Sequence, residues 1–310
     1  MSLRSIVSTF CGLLLVAFSV AGAPAYADGA VVTVAHAQGE TDVPLKPRTV
    51  LTFDLSALDT LNVLEEPVEG IPEIALPEIL AQFGELPKIG SMFEPDFEAI
   101  NAMEPDLIII SGRAAPKFAE LSAMAPTIDL TVRQDHFLAD VFRNIRVLGT
   151  IFDKPEKATA EIEGLKESMA SLQALSAKVG NGLLIMTNGA RMSTYGPNSR
   201  FGILFNEFGV VPADENIKAG NHGQPVSFEY ILETDPDWLF VIDRDSAIGQ
   251  SGAAAEALLD NDLIHQTNAW KKDQIVYLDS ASWYLVNAGI ESLHRNIKQL
   301  AQRFVAVSGS

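Results

Sequence analysis

One pattern occurs twice in this chain and limits what it can fold into. Residues 97–113 read FEAINAMEPDLIIISGR, and residues 228–244 read FEYILETDPDWLFVIDR. Phe97, Glu98, Ile100, Pro105, Asp106 and Arg113 match Phe228, Glu229, Ile231, Pro236, Asp237 and Arg244 at a constant offset. Each copy reads as a helix, a Pro-Asp turn, an apolar strand and an arginine where the strand ends. Two copies of one strand-bearing unit predict two lobes built on one plan.

The rest of the chain agrees. Short apolar runs at Val31–Val34, Val50–Phe53, Leu107–Ile110, Leu183–Met186, Leu239–Ile242 and Ile275–Leu278 read as buried strands separated by helical patterns, the sign of α/β units. Over 154–179, Ala158, Ile162, Leu165, Met169, Leu172, Leu175 and Val179 recur at helical steps until Gly180-Asn181-Gly182 stops them. A last helix shows the same rhythm through Ile290, Leu293, Ile297, Leu300 and Phe304. The expected architecture is α/β: two Rossmann-like lobes, 28–153 and 180–310, joined by a long backbone helix, 154–179, with a ligand cleft between the lobes.

Residues 1–27 read as a signal peptide. Arg4 precedes an apolar run from Phe10 to Val20, and Ala25-Tyr26-Ala27 ends the segment as a cleavage site. The run is short for a membrane span, which needs about 20 residues. The only cysteine, Cys11, lies inside it and not in a lipidation box at its end. A soluble, exported, non-lipidated product is expected, with neither disulfides nor a cysteine zinc site.

Charge narrows the function. Lys and Arg number 22 against 40 Asp and Glu, a net charge of -18, which argues against wrapping nucleic acid. No nucleophile elbow, dinucleotide fingerprint, zincin helix or phosphate loop is present, so no enzyme is expected. In open α/β sheets ligands bind beyond the carboxyl ends of strands. Arg113 and Arg244 lie just past such ends, one per lobe, and read either as anion-binding groups in a shared cleft or as loop residues paired with acids such as Asp243 or Asp245. Glu98 and Glu229 follow the helix caps Asp96 and Ser227, so they either offset the helix dipole or form an exposed carboxylate pair for a basic partner. Arg200 sits in a turn-rich loop at a helix start, against its dipole preference, with Arg191 as a competitor. The five histidines form no metal-spaced cluster. His222 lies in a polar, glycine-flanked loop before the second repeat. Tyr284 follows Trp283, and adjacent aromatics point different ways, so one can pack while the other faces the cleft.

These features resemble the periplasmic substrate-binding proteins of ABC importers that have a helical backbone between lobes, and specifically the catecholate-siderophore binders. The resemblance rests on Val31-Thr33-Val34-His36-Gly39-Thr41-Val43-Pro44, Pro47-Arg48-Val50, both repeat blocks, the central helix, Trp283-Tyr284-Leu285 and Gly289-Glu291-Ser292-Leu293. It implies a periplasmic, monomeric receptor with no permanently bound cofactor. The implied ligand is a ferric catecholate siderophore, read as a tetradentate bis-catecholate, which is delivered to permease subunits in the inner membrane. The resemblance assigns Arg113, Arg200 and Arg244 to the chelate, His222 and Tyr284 to the iron, and Glu98 and Glu229 to permease docking. Four catecholate oxygens on iron(III) leave one net negative charge and two open positions, which an imidazole and a phenolate can fill. Forked guanidiniums suit such oxygens better than a lysine point charge. Receptors of the same fold for haem, a corrinoid or a hydroxamate siderophore are the alternatives, followed by a secreted α/β esterase.

Overall fold

The computed structural model describes residues 30–218, 220, 222–250 and 254–308. The expected signal peptide, 1–27, lies outside the described residues.

The chain opens with a hairpin of β1 (Val31–His36) and β2 (Gly39–Pro44), paired antiparallel. Here the reading of Val31–Val34 as a buried strand needs correction. Val31 is 49% exposed, and Val32, Val34 and His36 turn inward, Val32 only in part. A two-stranded hairpin buries one face, so its side chains alternate.

Two parallel-stranded units follow. The first contains β3 (Val50–Thr52), α1 (Leu55–Leu64), α2 (Phe97–Ala102), β4 (Leu107–Ile110), α3 (Phe118–Ser122), β5 (Thr127–Asp129) and α4 (Phe137–Ile151). Its sheet has the order β3-β4-β5, all parallel. The long helix α5 (Pro155–Ser176) comes next, with Pro155 at its first turn, where no donor is lost.

The second unit holds β6 (Asn181–Asn188), β7 (Arg191–Tyr195), α6 (Ile203–Asn206), β8 (Val211–Pro212), β9 (Gln224–Val226), α7 (Phe228–Thr234), β10 (Trp238–Asp243), α8 (Arg244–Ala247), α9 (Ala254–Leu259), α10 (Asn268–Lys271), β11 (Ile275–Tyr277), α11 (Ser280–Leu285) and α12 (Ile290–Ser308). Its sheet runs β11-β10-β6-β7-β9, with β8 also on β6. β7 pairs antiparallel with both β6 and β9, at the side of a parallel core. The link between β6 and β7 is only Gly189 and Ala190, too short for a parallel crossover.

The sequence repeat is a structural repeat. Asp106 accepts hydrogen bonds from the backbone of Arg48 (2.8 Å) and Thr49 (3.0 Å), just before β3. Asp237 accepts one from Asn181 (3.3 Å), where β6 starts. Each Pro-Asp turn thus ties its own strand to the parallel neighbour, β4 to β3 and β10 to β6.

Packing joins the two units. Ala158, Ile162, Leu165, Met169 and Leu172 form the buried stripe of α5, which lies against α4 and α12. Burial stabilises each large apolar side chain by about 1.5–3 kcal/mol at most. From α12, Leu293, Ile297, Leu300 and Phe304 are buried, and this last helix also packs on α1. The buried Asp59 of α1 accepts backbone hydrogen bonds from Glu291 (3.2 Å) and Ser292 (2.9 Å) at the first turn of α12. Those donors have no partner within their own helix, so α1 caps the element that follows α11.

Candidate functional site

Tyr284 sits on α11, whose start is fixed by Asp279. That carboxylate accepts from the Ser282 backbone at 3.1 Å and from the Ser282 hydroxyl at 2.9 Å. One residue is about 100° of helical turn, so Trp283 and Tyr284 face differently. Trp283 is 1% exposed and meets Phe208 edge-on at 6.0 Å. Tyr284 is half-buried and turns toward the arginines.

Three guanidiniums converge on it. The Arg200, Arg113 and Arg244 guanidinium carbons lie 4.2, 5.8 and 5.9 Å from the ring centroid. Arg200 donates to the Tyr284 backbone carbonyl, and Arg113 reaches the same oxygen at 3.4 Å. Arg244 donates through Nε to the phenolic oxygen at 3.3 Å. The three come from separate segments. Arg113 lies in the loop after β4, and Arg200 precedes α6. Arg244 opens α8, which Asp243 caps by accepting from Asp245 (3.0 Å) and Ser246 (3.2 Å). The Asp243 backbone also donates to the Ser280 hydroxyl at 2.9 Å, which locks the end of β10 to the helix carrying Tyr284.

The field at this point is strongly positive. Among the described residues only Arg244 of the three forms an ion pair, with Asp245 at 3.7 Å, while the charge of Arg113 acts on the buried Asp54. Burial lowers the pKa of Arg200, and the like charge of Arg113 lowers it further. Burial would raise the Tyr284 phenol, but the Arg244 hydrogen bond and the Arg200 and Arg244 charges outweigh it and hold the phenol below its ordinary value. A phenol so placed gives up its proton more readily and becomes a better oxygen donor.

A cavity of about 510 Å³ opens beside this cluster, lined by Tyr195, Arg200, His222, Arg244 and Tyr284 among others. That size suits a small organic ligand or chelate. His222 lines this cavity together with Tyr284 and is exposed. Gly223 holds its loop close: at φ +69°, an added Cβ would stand 2.7 Å from the Tyr195 ring. A bridge between Ser199 and Gly220 ties the same loop to the Arg200 segment. Arg113 joins through Tyr284 and is not part of the cavity wall, which residues 186–284 supply.

Glu98 and Glu229 do not join the cluster. Each is exposed in the first turn of a short helix, one in each half of the repeat. Asp96 and Ser227 cap those helices as expected. Of the other histidines, His36 bonds Thr41 at 2.8 Å and His265 pairs with Asp260 at 2.7 Å, while His294 lies 4.0 Å from Glu161.

Sequence reasoning passed over Tyr195, 1% exposed beneath the cavity. Its signal is the alternation of Arg191, Ser193 and Tyr195, all lining the cavity, which reads as one strand face only once β7 is recognised.

Among the described residues no group of three His, Cys, Asp or Glu side chains could hold a bare metal ion. The site offers instead several fixed cationic donors, one activated phenol and one imidazole. That set fits an anionic chelate whose own oxygens hold most of the metal's coordination sphere.

The family model described as periplasmic binding protein matches residues 50–282. The petrobactin-binding protein YclQ of Bacillus subtilis is 41% identical over 276 residues, 87% of either chain, and its crystal structure superposes with a TM-score of 0.86, covering 89% of this chain and 99% of that one. The ferric-anguibactin-binding protein FatB of Vibrio anguillarum is 32% identical over 270 residues, 84% of either chain. The periplasmic catecholate-siderophore binding protein VctP of Vibrio cholerae superposes with a TM-score of 0.83 at 31% identity, covering 88% of this chain and all of that one.

Proposed function

We propose, because this chain belongs to the periplasmic binding protein family, that it captures a ferric siderophore outside the inner membrane and delivers it to the permease of an ABC importer. The observation that carries the reading is the meeting of Arg113, Arg200 and Arg244 around Tyr284. Relatives support it: YclQ is named for petrobactin, FatB for ferric anguibactin and VctP for a catecholate siderophore.

The finer reading is a tetradentate bis-catecholate. Its iron keeps two open positions, for Tyr284 as a phenolate and His222 as an imidazole. A tyrosine oxygen is a hard donor suited to ferric iron. The guanidiniums donate to the catecholate oxygens and balance their charge. They are fixed before the ligand arrives, which reduces the ordering cost of binding. Glu98 and Glu229, one per lobe, meet basic residues of the permease, and the protein acts as an exported monomer without catalysis. The lobes comprise 28–153 and 180–310, braced by the helix of 154–179. No helix among the described residues is long and apolar enough to cross a membrane.

Native mass spectrometry of protein purified from iron-starved cells tests the reading. A one-to-one complex with a ferric catecholate is expected. Recovery with haem, a corrinoid or a ferric hydroxamate in its place would overturn the catecholate assignment.

A further inference from the structure

We infer that Asp59 and Ser292 are positioning residues for Tyr284: a buried chain of hydrogen bonds runs from α1, in the N-terminal half, to α11 and sets where the phenol stands. The inference rests on the siderophore reading above for what the phenol does, not for where it is held.

The chain of bonds starts at a helix end. Gly289, the residue before α12, has no side-chain oxygen with which to cap that helix. Asp59 takes the role from across the molecule. Its two carboxylate oxygens accept from the Glu291 backbone at 3.2 Å and the Ser292 backbone at 2.9 Å. Ser56, three residues earlier on α1, accepts from the Ala288 backbone at 3.3 Å. Gly289 leaves the room this needs, because an added Cβ would overlap the Asp59 carboxylate.

From Ser292 the chain passes to α11. The Ser292 hydroxyl donates to the Ser282 carbonyl at 3.3 Å. A helix leaves its last four carbonyls without partners of its own, and in α11 (Ser280–Leu285) these include Ser282 and Tyr284. Ser292 takes the first, while Arg113 and Arg200 take the second. Asp59, Ser282 and Ser292 are fully buried, so a lost link leaves a polar group unpaired where water does not reach. The N-terminal half thus grips the 284–292 segment at four backbone groups, those of Tyr284, Ala288, Glu291 and Ser292. The Arg244 bond to the phenolic oxygen is already long at 3.3 Å, and a small shift of α11 breaks it.

The test uses Asp59→Ala, Asp59→Asn and Ser292→Ala, each with Tyr284 present and in a Tyr284→Phe background. The first readout is ligand-free: the alkaline phenolate transition that Tyr284→Phe abolishes. It should move to higher pH in Ser292→Ala and Asp59→Ala, as the phenol leaves the guanidiniums, and less in Asp59→Asn, which keeps one acceptor oxygen. The second is affinity for a synthetic ferric bis-catecholate by tryptophan quenching. Each alanine variant should bind about three- to tenfold more weakly with Tyr284 present, and no more weakly than its parent in the Tyr284→Phe background. A purely structural role would lower the melting temperature without this dependence on Tyr284. An unmoved phenolate transition in Ser292→Ala, or equal losses of affinity in both backgrounds, would overturn the inference. Ser292→Ala removes a single hydroxyl and decides the matter even where Asp59→Ala does not fold. A wild type that fails to bind the chelate would overturn the siderophore reading alone, and the phenolate transition would then decide the positioning roles.

Discussion

Arg200 holds Tyr284 from two directions: its guanidinium carbon lies 4.2 Å from the ring centroid, and its Nη2 donates to the Tyr284 backbone carbonyl. The two residues stand on segments 84 positions apart. Their pairing puts a mostly desolvated cation next to a phenol that lines the ligand cavity. In water such a cation would be hydrated on every side. Here the nearest complement is the anion that the cavity receives.

Arg200→Ala should weaken binding of a ferric bis-catecholate by about 10- to 100-fold, because it removes charged hydrogen bonds in a partly dry site. Arg113→Ala should cost less, since its contact with the Tyr284 carbonyl is long at 3.4 Å. Fluorescence titration of the two variants checks the order.

The Tyr284 phenol should ionise below the ordinary value of about 10, because the Arg244 and Arg200 interactions outweigh burial. Arg244→Ala should raise it. A depressed folded-state value means that this group's stabilisation is present above the unfolded pKa and lost as pH falls through the folded one. Phenolate absorbance followed through an alkaline titration reads the shift, and the Tyr284→Phe variant identifies the transition.

Asp59 makes the opposite prediction. Burial pushes it up to about 7, against the pull of the Ser292 and Glu291 backbone donors. The folded state therefore keeps a proton that the unfolded chain releases near pH 4. The stabilisation from this group is full below that value and declines as pH rises toward 7. Asp59→Asn should remove that slope. Melting temperatures at several pH values would show the wild type losing ground to the variant between about pH 4 and 7; parallel curves would contradict the assignment.

Glu98→Ala and Glu229→Ala should each reduce uptake through the permease in reconstituted vesicles while the free protein still binds its ligand. Both carboxylates are exposed and neither lines the cavity. Uptake at the wild-type rate by the double variant would remove them from docking.

Much of this was legible in the sequence because local rules and tertiary roles coincide. The strands β4 and β10 are buried on both faces and therefore read as unbroken apolar runs. Asp106 and Asp237 were visible as a repeat before their shared task of pinning adjacent strands was known. Arg200 stood out because its placement opposed the helix dipole. The antiparallel strands β7 and β9 were hidden: β9 has three residues around Pro225 and resembles a loop. Tyr195 was hidden with them, since a face of β7 cannot be assigned until the strand itself is recognised. The exposed hairpin at Val31 was misread because an apolar run carries no record of which side meets solvent.

The central claim is that an iron chelate is held where the three arginines meet the phenol. A crystal of the protein with a ferric bis-catecholate, with anomalous scattering measured at the iron edge, tests it most directly. The account predicts one iron peak within bonding distance of the Tyr284 oxygen, with Arg113, Arg200 and Arg244 donating to the chelate. A peak elsewhere on the molecule, or a chelate that these guanidiniums do not touch, would contradict it.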